Sequence, residues 1–379
     1  MRQMSGPKGA SYLQQALKGE RLVAEPMRSE CVCAVVVPVM AEPIKRVLSL
    51  LESLVHQQEV QQDAFEVIVL VNRPTDNGSN DSRRAEAMNA LVLGLPVWAN
   101  RDSFDTVHRY GSDVVDRCRA IRDHVTAHVI DKSSPGEELA DGNVGKARDR
   151  ALAEGCLRFD RIGKDGLIIM TDADVRFTDA YHLAKALEVF RADPDMVAAS
   201  GGVDFVLDPD EEEANVRAEI IRAFERILRF KRWSHMQDYL AGRKMRFVPQ
   251  GAFFGNHILV RSSIASEVCG VPHRLQHEDT VFGMRCREYA ASHHKRVGDV
   301  SRALRVSSAL RESNRTWQSF SAEALRRRPV FVDEREYQAL VRKLSSQPAG
   351  RLLLSALDDT GRALYEDVVI VSSPLVRSA

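Results

Sequence analysis

No stretch of the 379-residue chain approaches the ~18 consecutive apolar residues that a membrane span needs. The opening segment, MRQMSGPKGASYLQQALKGERLVAEPMRSE, lacks the continuous apolar core of a secretory leader. A cytoplasmic location with no transmembrane segment is the expectation. Charge of either sign is not in excess: Lys+Arg and Asp+Glu both count 53, so nothing global favours nucleic acid, and any anion binding must be local. Cysteine is sparse, and its six positions (Cys31, Cys33, Cys118, Cys156, Cys269, Cys286) form neither a disulfide framework nor a zinc pattern. Cys31 and Cys33 open an apolar run and are expected to be buried on one face of a strand. Internal repeats and low-complexity tracts are also absent.

What is present is the composition of a well-cored globular chain, 44% hydrophobic and 28% charged, long enough for one large or two ordinary domains. Residues 1 to about 28 are polar and read as a loosely attached N-terminal segment. CVCAVVVPVM (31–40) reads as a buried strand, PIKRVLSLLESLVHQQ (43–58) as a helix, and FEVIVLVNRPTDNGSND (65–81) as a second strand running into a turn. Residues 82 to 142 carry two helical patterns with polar interruptions. VGKARDRALAEG (144–155) predicts a helix with a glycine stop, HLAKALEVFRADPDM (182–196) another, and VAASGGVDFVL (197–207) a strand. Alternating strands and helices predict an open α/β sheet, mostly parallel and doubly wound.

Beyond 208 the pattern changes. A long helix is expected after the acidic run at 209–213, with Arg222, Arg226, Arg229, Lys231 and Arg232 near Trp233, read either as a solvated face or as a peripheral contact with a membrane or a phosphate-bearing acceptor. The tail after about 318 is mostly helical by pattern.

One stretch demands a chemical reason. LIIMTDADVRF (167–177) drives an apolar run into two aspartates one residue apart. Leu167 to Met170 reads as a buried strand, so Asp172 and Asp174 fall at its carboxyl end, where open parallel sheets bind ligands. Two carboxylates there can hold a hard divalent cation, Mn2+ or Mg2+, and leave coordination positions for a diphosphate and water. The blander reading is a pair of solvated turn aspartates.

The order of VPVMAEP (37–43), VLVNRPTDN (69–77), GNVGKARDRAL (142–152), TDAD (171–174) and HEDTVFG (277–283) resembles the family 2 glycosyltransferases of the GT-A fold, a nucleotide-diphospho-sugar transferase superfamily, over roughly residues 32 to 290. The resemblance implies a GT-A domain over 30–300, preceded by an N-terminal segment (1–29) and followed by a mostly helical C-terminal region (301–379). It also implies a nucleotide-diphosphate sugar as donor. Pro38, Val39 and Glu42 would line the nucleotide pocket, with Asn72 where relatives usually carry aspartate. Gly145, Lys146 and Arg148 would meet base or phosphates at a helix start, a site type with general anion affinity. Asp174 would be the leading metal ligand with Asp172 its partner, also touching ribose; Asp279 would be the general base, with Glu278 its fallback.

The resemblance further makes Gly251, Gly255 and Asn256 sugar or acceptor contacts, and Arg311 or Arg315 a closing cation. His293 and His294 read as helix-end polar residues or as a later metal ligand. The Q-x-x-R-W motif of processive, membrane-embedded relatives is missing, which favours transfer of single sugars to a glycan, lipid-linked or small-molecule acceptor. DADVR does not fit the D-x-D-x-T of haloacid-dehalogenase-type phosphatases, and PVMAEPIKR lacks the glycines of a nucleotidylyltransferase loop. The remaining alternative is a catalytically inactive sugar-nucleotide-binding or scaffold protein.

Overall fold

The apolar run CAVVVPV forms β1 (Cys33–Val39), buried along almost its whole length, and FEVIVLVN forms β2 (Phe65–Asn72), buried throughout. The computed structural model describes residues 6–73, 80–98, 104–139, 143–207, 236–237, 240, 256–274, 278–310, 334–348, 350–351 and 354. β1 and β2 pair in parallel across α2 (Ile44–Val55), whose apolar face carries buried Val47, Leu48, Leu51 and Leu54. The chain then passes through α3 (Asn80–Leu93), α4 (Phe104–Tyr110) and α5 (Ser112–Arg122) to β3 (Thr126–Lys132), parallel to β2.

α6 (Val144–Ile162) leads to β4 (Leu167–Met170), parallel to β1 on its other side, and on to the short β5 (Val175–Arg176). α7 (His182–Ala192), β6 (Met196–Ser200) and β7 (Gly202–Leu207) follow. After the segment at 208–255 come β8 (Ile258–Arg261), α8 (Ser262–Glu267), α9 (Glu278–Ser292), β9 (Arg296–Asp299) and β10 (Arg305–Leu310). The main sheet has seven strands in the order β3-β2-β1-β4-β8-β6-β9. Only β8 runs against its neighbours, antiparallel to both β4 and β6, and β10 pairs antiparallel with β5. This is the open, mostly parallel α/β sheet with flanking helices that the sequence implies. The order reverses between β1 and β4, which makes the carboxyl ends of those strands a topological switch point.

α6 is buried on nearly every side although it is rich in charge, and it stays there because its charges are paired. Arg158 forms a two-pronged pair with Glu66 at 2.6 Å on each prong, the Arg150 guanidinium meets Glu20, and Glu154 accepts from the Leu22 amide. Asp149 accepts from the Tyr12 hydroxyl (2.7 Å), the Val271 amide (2.9 Å) and His273 Nε2 (2.8 Å).

Several expectations change here. The N-terminal segment is not loose: α1 (Pro7–Leu17) buries Tyr12, Leu13 and Leu17 in the main core and is bonded to α6 through Tyr12. Residues 82–142 contain a strand as well as helices. Gly155 does not stop α6 but lies inside it, facing Ile168, Val36 and Ile68 of the sheet, and the stop is Gly163 at φ 69°. The run at 197–207 is two strands parted at Gly201.

The chain divides into two compact units, residues 1–203 with 251–308 and residues 204–250 with 309–379. In the second, α10 (Glu334–Ser345) brings Tyr337, Leu340 and Leu344 together with Met236 and Leu354 in a small core. The basic helix at 222–232 and its Trp233 lie outside the described residues.

Candidate active site

β4 ends at Met170, and the chain leaves the sheet through Thr171, so Asp172 and Asp174 fall at the switch point. α6 reaches the same place from below with its first two turns, and α9 with its first. Arg148 projects from α6 between the two acidic elements. Its Nη2 donates to Asp172 Oδ1 and its Nη1 to Glu278 Oε1, so one guanidinium bridges the strand exit and the helix start. Arg148 is 4% exposed. Its side chain is engaged by two carboxylates. Burial works against its charge, but Asp172, Glu278 and Asp279 outweigh this and raise its pKa. Burial lifts Glu278 above the usual carboxylate range, against the pull of Arg148.

Asp279 is the more accessible of the two helix-start acids. It lies in the first turn of α9, and its Oδ1 accepts from the Thr280 amide at 2.6 Å. Asp174 is half-buried, and its Oδ1 lies 3.5 Å from the Ser308 hydroxyl of β10. Sequence reading missed Ser308, which has no local motif and is brought here only by the pairing of β10 with β5.

The other sequence candidates divide. Val39 is fully buried, so its side chain belongs to the core, whereas Pro38 is half-buried. Glu42 is buried beside Arg46, 3.5 Å away. Asn72 is buried at the end of β2, its Nδ2 3.9 Å from Met40 Sδ. The next residue, Arg73, is 1% exposed and binds the Ser133 carbonyl and Glu138. Asn89 ties these strand ends together, accepting from the Ala41 amide and donating to the Asn72 carbonyl and the Ser133 hydroxyl.

At the start of α6, Asn143 caps the Lys146 amide at 2.8 Å, leaving Lys146 half-buried. Gly145 has a packing reason: a Cβ would lie 2.6 Å from the Pro272 carbonyl oxygen. His293 stacks on Tyr289 with ring centroids 4.0 Å apart, at the far end of a 15-residue helix, about 20 Å from its start. It is a helix-end residue. Gly251, Gly255, His277, Arg311 and Arg315 lie outside the described residues.

Among the described residues no group of three or more His, Cys, Asp or Glu side chains is arranged to hold a metal. The oxygen donors of Asp172 and Asp174 still fit Mn2+ or Mg2+, because such ions are commonly held by one or two carboxylates with substrate phosphates and water completing the shell. Among the described residues no helix is long and apolar enough to cross a membrane.

No family model matches the chain, and no curated protein matches it. Among solved structures it is similar to the mannosyltransferase PcManGT from Pyrobaculum calidifontis in complex with GDP-Man and Mn2+, at 16% identity and TM-score 0.41 over 95% of this chain and 86% of that one. It is similar to S. aureus TarS 1-349 in complex with UDP-GlcNAc at 15% identity and TM-score 0.42, over 82% of this chain and 64% of that one, less than two thirds of its length. It is also similar to glucosyl-3-phosphoglycerate synthase from Mycobacterium tuberculosis, in complex with Mn2+, UDP and glucosyl-3-phosphoglycerate, at 12% identity and TM-score 0.37, over 79% of this chain and 76% of that one. Likenesses at this level assign no substrate, which is left to the chemistry of the residues at the switch point.

Proposed function

We propose that this chain is a glycosyltransferase that moves a single sugar from a nucleotide-diphosphate sugar to an acceptor hydroxyl, with inversion and with Mn2+ or Mg2+ bound. The observation that carries the reading is the Arg148 bridge, which joins a strand-exit aspartate to the acidic start of a helix at the sheet's switch point. Asp174 and Asp172 would hold the cation, and the cation would stabilise charge on the departing diphosphate. Pro38, Glu42 and Asn72 would form the base side of the pocket, with Val39 packed in the core behind them, and Gly145 and Lys146 the helix start facing the phosphates.

The acceptor must lose a proton as its oxygen attacks the anomeric carbon, while the bond from that carbon to the phosphate oxygen breaks and its electron pair leaves with the diphosphate. Asp279 is assigned as the base that takes this proton. Glu278 is buried and bonded to Arg148, whereas Asp279 is only half-buried. The acceptor class, glycan, lipid-linked or small molecule, follows from no residue described above, and a cytoplasmic setting would supply the donor.

The test is a thermal-shift titration with UDP, GDP, CDP and dTDP, each with Mn2+, Mg2+ or EDTA. A nucleotide at a hundredfold excess over its dissociation constant should stabilise the chain by about 2.7 kcal/mol, and EDTA should abolish the effect. Asp279→Asn should then lower turnover by about 10²- to 10⁴-fold while nucleotide still binds. Metal-dependent donor binding and transfer that survive Asp174→Ala would overturn the assignment. Silence toward every nucleotide would favour the inactive scaffold.

A further inference from the structure

We propose that Ser308 and Asn256 are positioning residues that aim the Asp174 carboxylate at the divalent cation; this rests on the reading that Asp172 and Asp174 hold that ion. β10 lies antiparallel to β5 with Ser308 opposite Val175, the residue that follows Asp174 in the chain. Ser308 is 2% exposed, and its Oγ is 3.5 Å from Asp174 Oδ1 and 3.1 Å from Asn256 Nδ2. A hydroxyl has a single proton to give and can accept as well. The Asn256 amide donates to Ser308 Oγ, so the Ser308 proton is directed to Asp174. At 3.5 Å this contact biases the orientation of the carboxylate before any ion arrives.

Asn256 is itself fixed from several sides. Its carbonyl accepts from Thr171 Oγ1 at 2.8 Å, one residue before the first aspartate. The next residue, His257, is fully buried: its Nδ1 donates to the Gly202 carbonyl (3.1 Å), its carbonyl accepts from the Gly201 amide (3.0 Å), and its Nε2 lies 3.0 Å from His182 Nε2. A Cβ on Gly201 would stand 1.9 Å from His257 Nδ1, so only glycine lets the imidazole occupy this place. The pair of histidines thus acts as a pedestal: it fixes residue 257, hence 256, hence the hydroxyl that faces Asp174. Hydrogen-bond partners behind a ligating carboxylate typically govern metal affinity by 10- to 100-fold.

The test reads Mn2+ binding directly, by electron paramagnetic resonance of the free ion titrated into protein, with thermal unfolding in EDTA as the control for folding. Ser308→Ala and Asn256→Ala should each raise the Mn2+ dissociation constant by about 10- to 100-fold. Ser308→Thr, which restores the hydroxyl, should return it to nearly the wild-type value. Variants that lower the melting temperature in EDTA but leave the Mn2+ dissociation constant unchanged would show a purely structural role and overturn the proposal. Wild-type protein whose Mn2+ binding is lost in Asp174→Ala but intact in both alanine variants would overturn this inference alone. Wild-type protein that binds no Mn2+ would overturn the metal-site reading together with it.

Discussion

Arg148 and Glu278 are 130 residues apart in the chain and form a buried ion pair whose other arm is Asp172. The pair closes the gap between a helix packed on the sheet and a helix that begins beside the candidate site. A guanidinium suits this position because its planar fork can serve two carboxylates at once, which a lysine ammonium cannot do with the same geometry.

Removing that fork leaves two carboxylates facing one another without a cation. Arg148→Met should cost about 3 kcal/mol, the low end for a broken buried pair because the Asp172 side chain keeps 29% exposure. Urea unfolding at neutral pH measures it. Arg148→Lys should recover only part of the loss, and full recovery would show that charge alone, not the two-armed geometry, holds the site together.

The His182–His257 pair sets an acid limit on stability. Burial lowers His182 from 6.5 to about 4, with Asp179 and the Arg305 backbone opposing and Lys185 assisting; burial, His182 and Arg305 lower His257 to about 3 against the Gly202 carbonyl. The folded values lie below the unfolded ones, so the unfolded chain binds protons first as pH falls. The stabilising contribution is complete above about pH 6.5 and is lost progressively toward pH 4 to 3. Between pH 7 and pH 5 each histidine should remove about 2 kcal/mol. Denaturant melts at the two pH values should show a shallower slope for the double variant His182→Gln/His257→Gln, even though that variant starts less stable.

Gly145→Ala sets helix propensity against crowding. Alanine gains about 1 kcal/mol over glycine inside a helix. Its Cβ would meet the Pro272 and Arg274 carbonyl oxygens at 2.6 and 2.9 Å, both backbone atoms. Crowding of this kind costs about 1 to 3 kcal/mol, so the variant should be neutral to destabilised and the 272–274 segment displaced. A net gain in melting temperature would show that the segment yields freely.

The first helix should behave as part of the core. Leu17→Ala, at a position 1% exposed, should cost about 2 to 5 kcal/mol, and Tyr12→Phe about 1.5 kcal/mol through the lost hydrogen bond to the Asp149 carboxylate. Deleting residues 1–20 should lower the melting temperature by more than either substitution. An unchanged melting temperature would mean that α1 is dispensable.

What could be read from the chain beforehand followed burial. β1, β2 and β4 are continuous apolar runs, and the aspartates at the end of β4 stand out because nothing in a buried strand explains them. β3 and β9 carry little signal because they are edge strands: TAHVIDK is half-buried at six of its seven positions, and RVGD is exposed at two of its four, so neither carries the apolar run of a central strand. α1 looked loose because its apolar residues are few, and their partner surface on α6 is distant in sequence. The partners of the α6 charges were out of reach for the same reason, since Asp172, Glu278 and Glu66 are brought to them only by the fold. Ser308 gave no signal at all, a serine in RVSSAL being as ordinary as any other until the strand register sets it opposite Val175.

The reversed strand β8 has a consequence for how this surface can change. A parallel strand presents to the ligand edge the residues that leave it, whereas β8 presents those that lead into it, and Asn256 arrives by that route. Asn256 and His257 are therefore carried to the ligand edge by the register of β8 against Met170 and Ser200, and a slip of one residue in that register would turn both away from it.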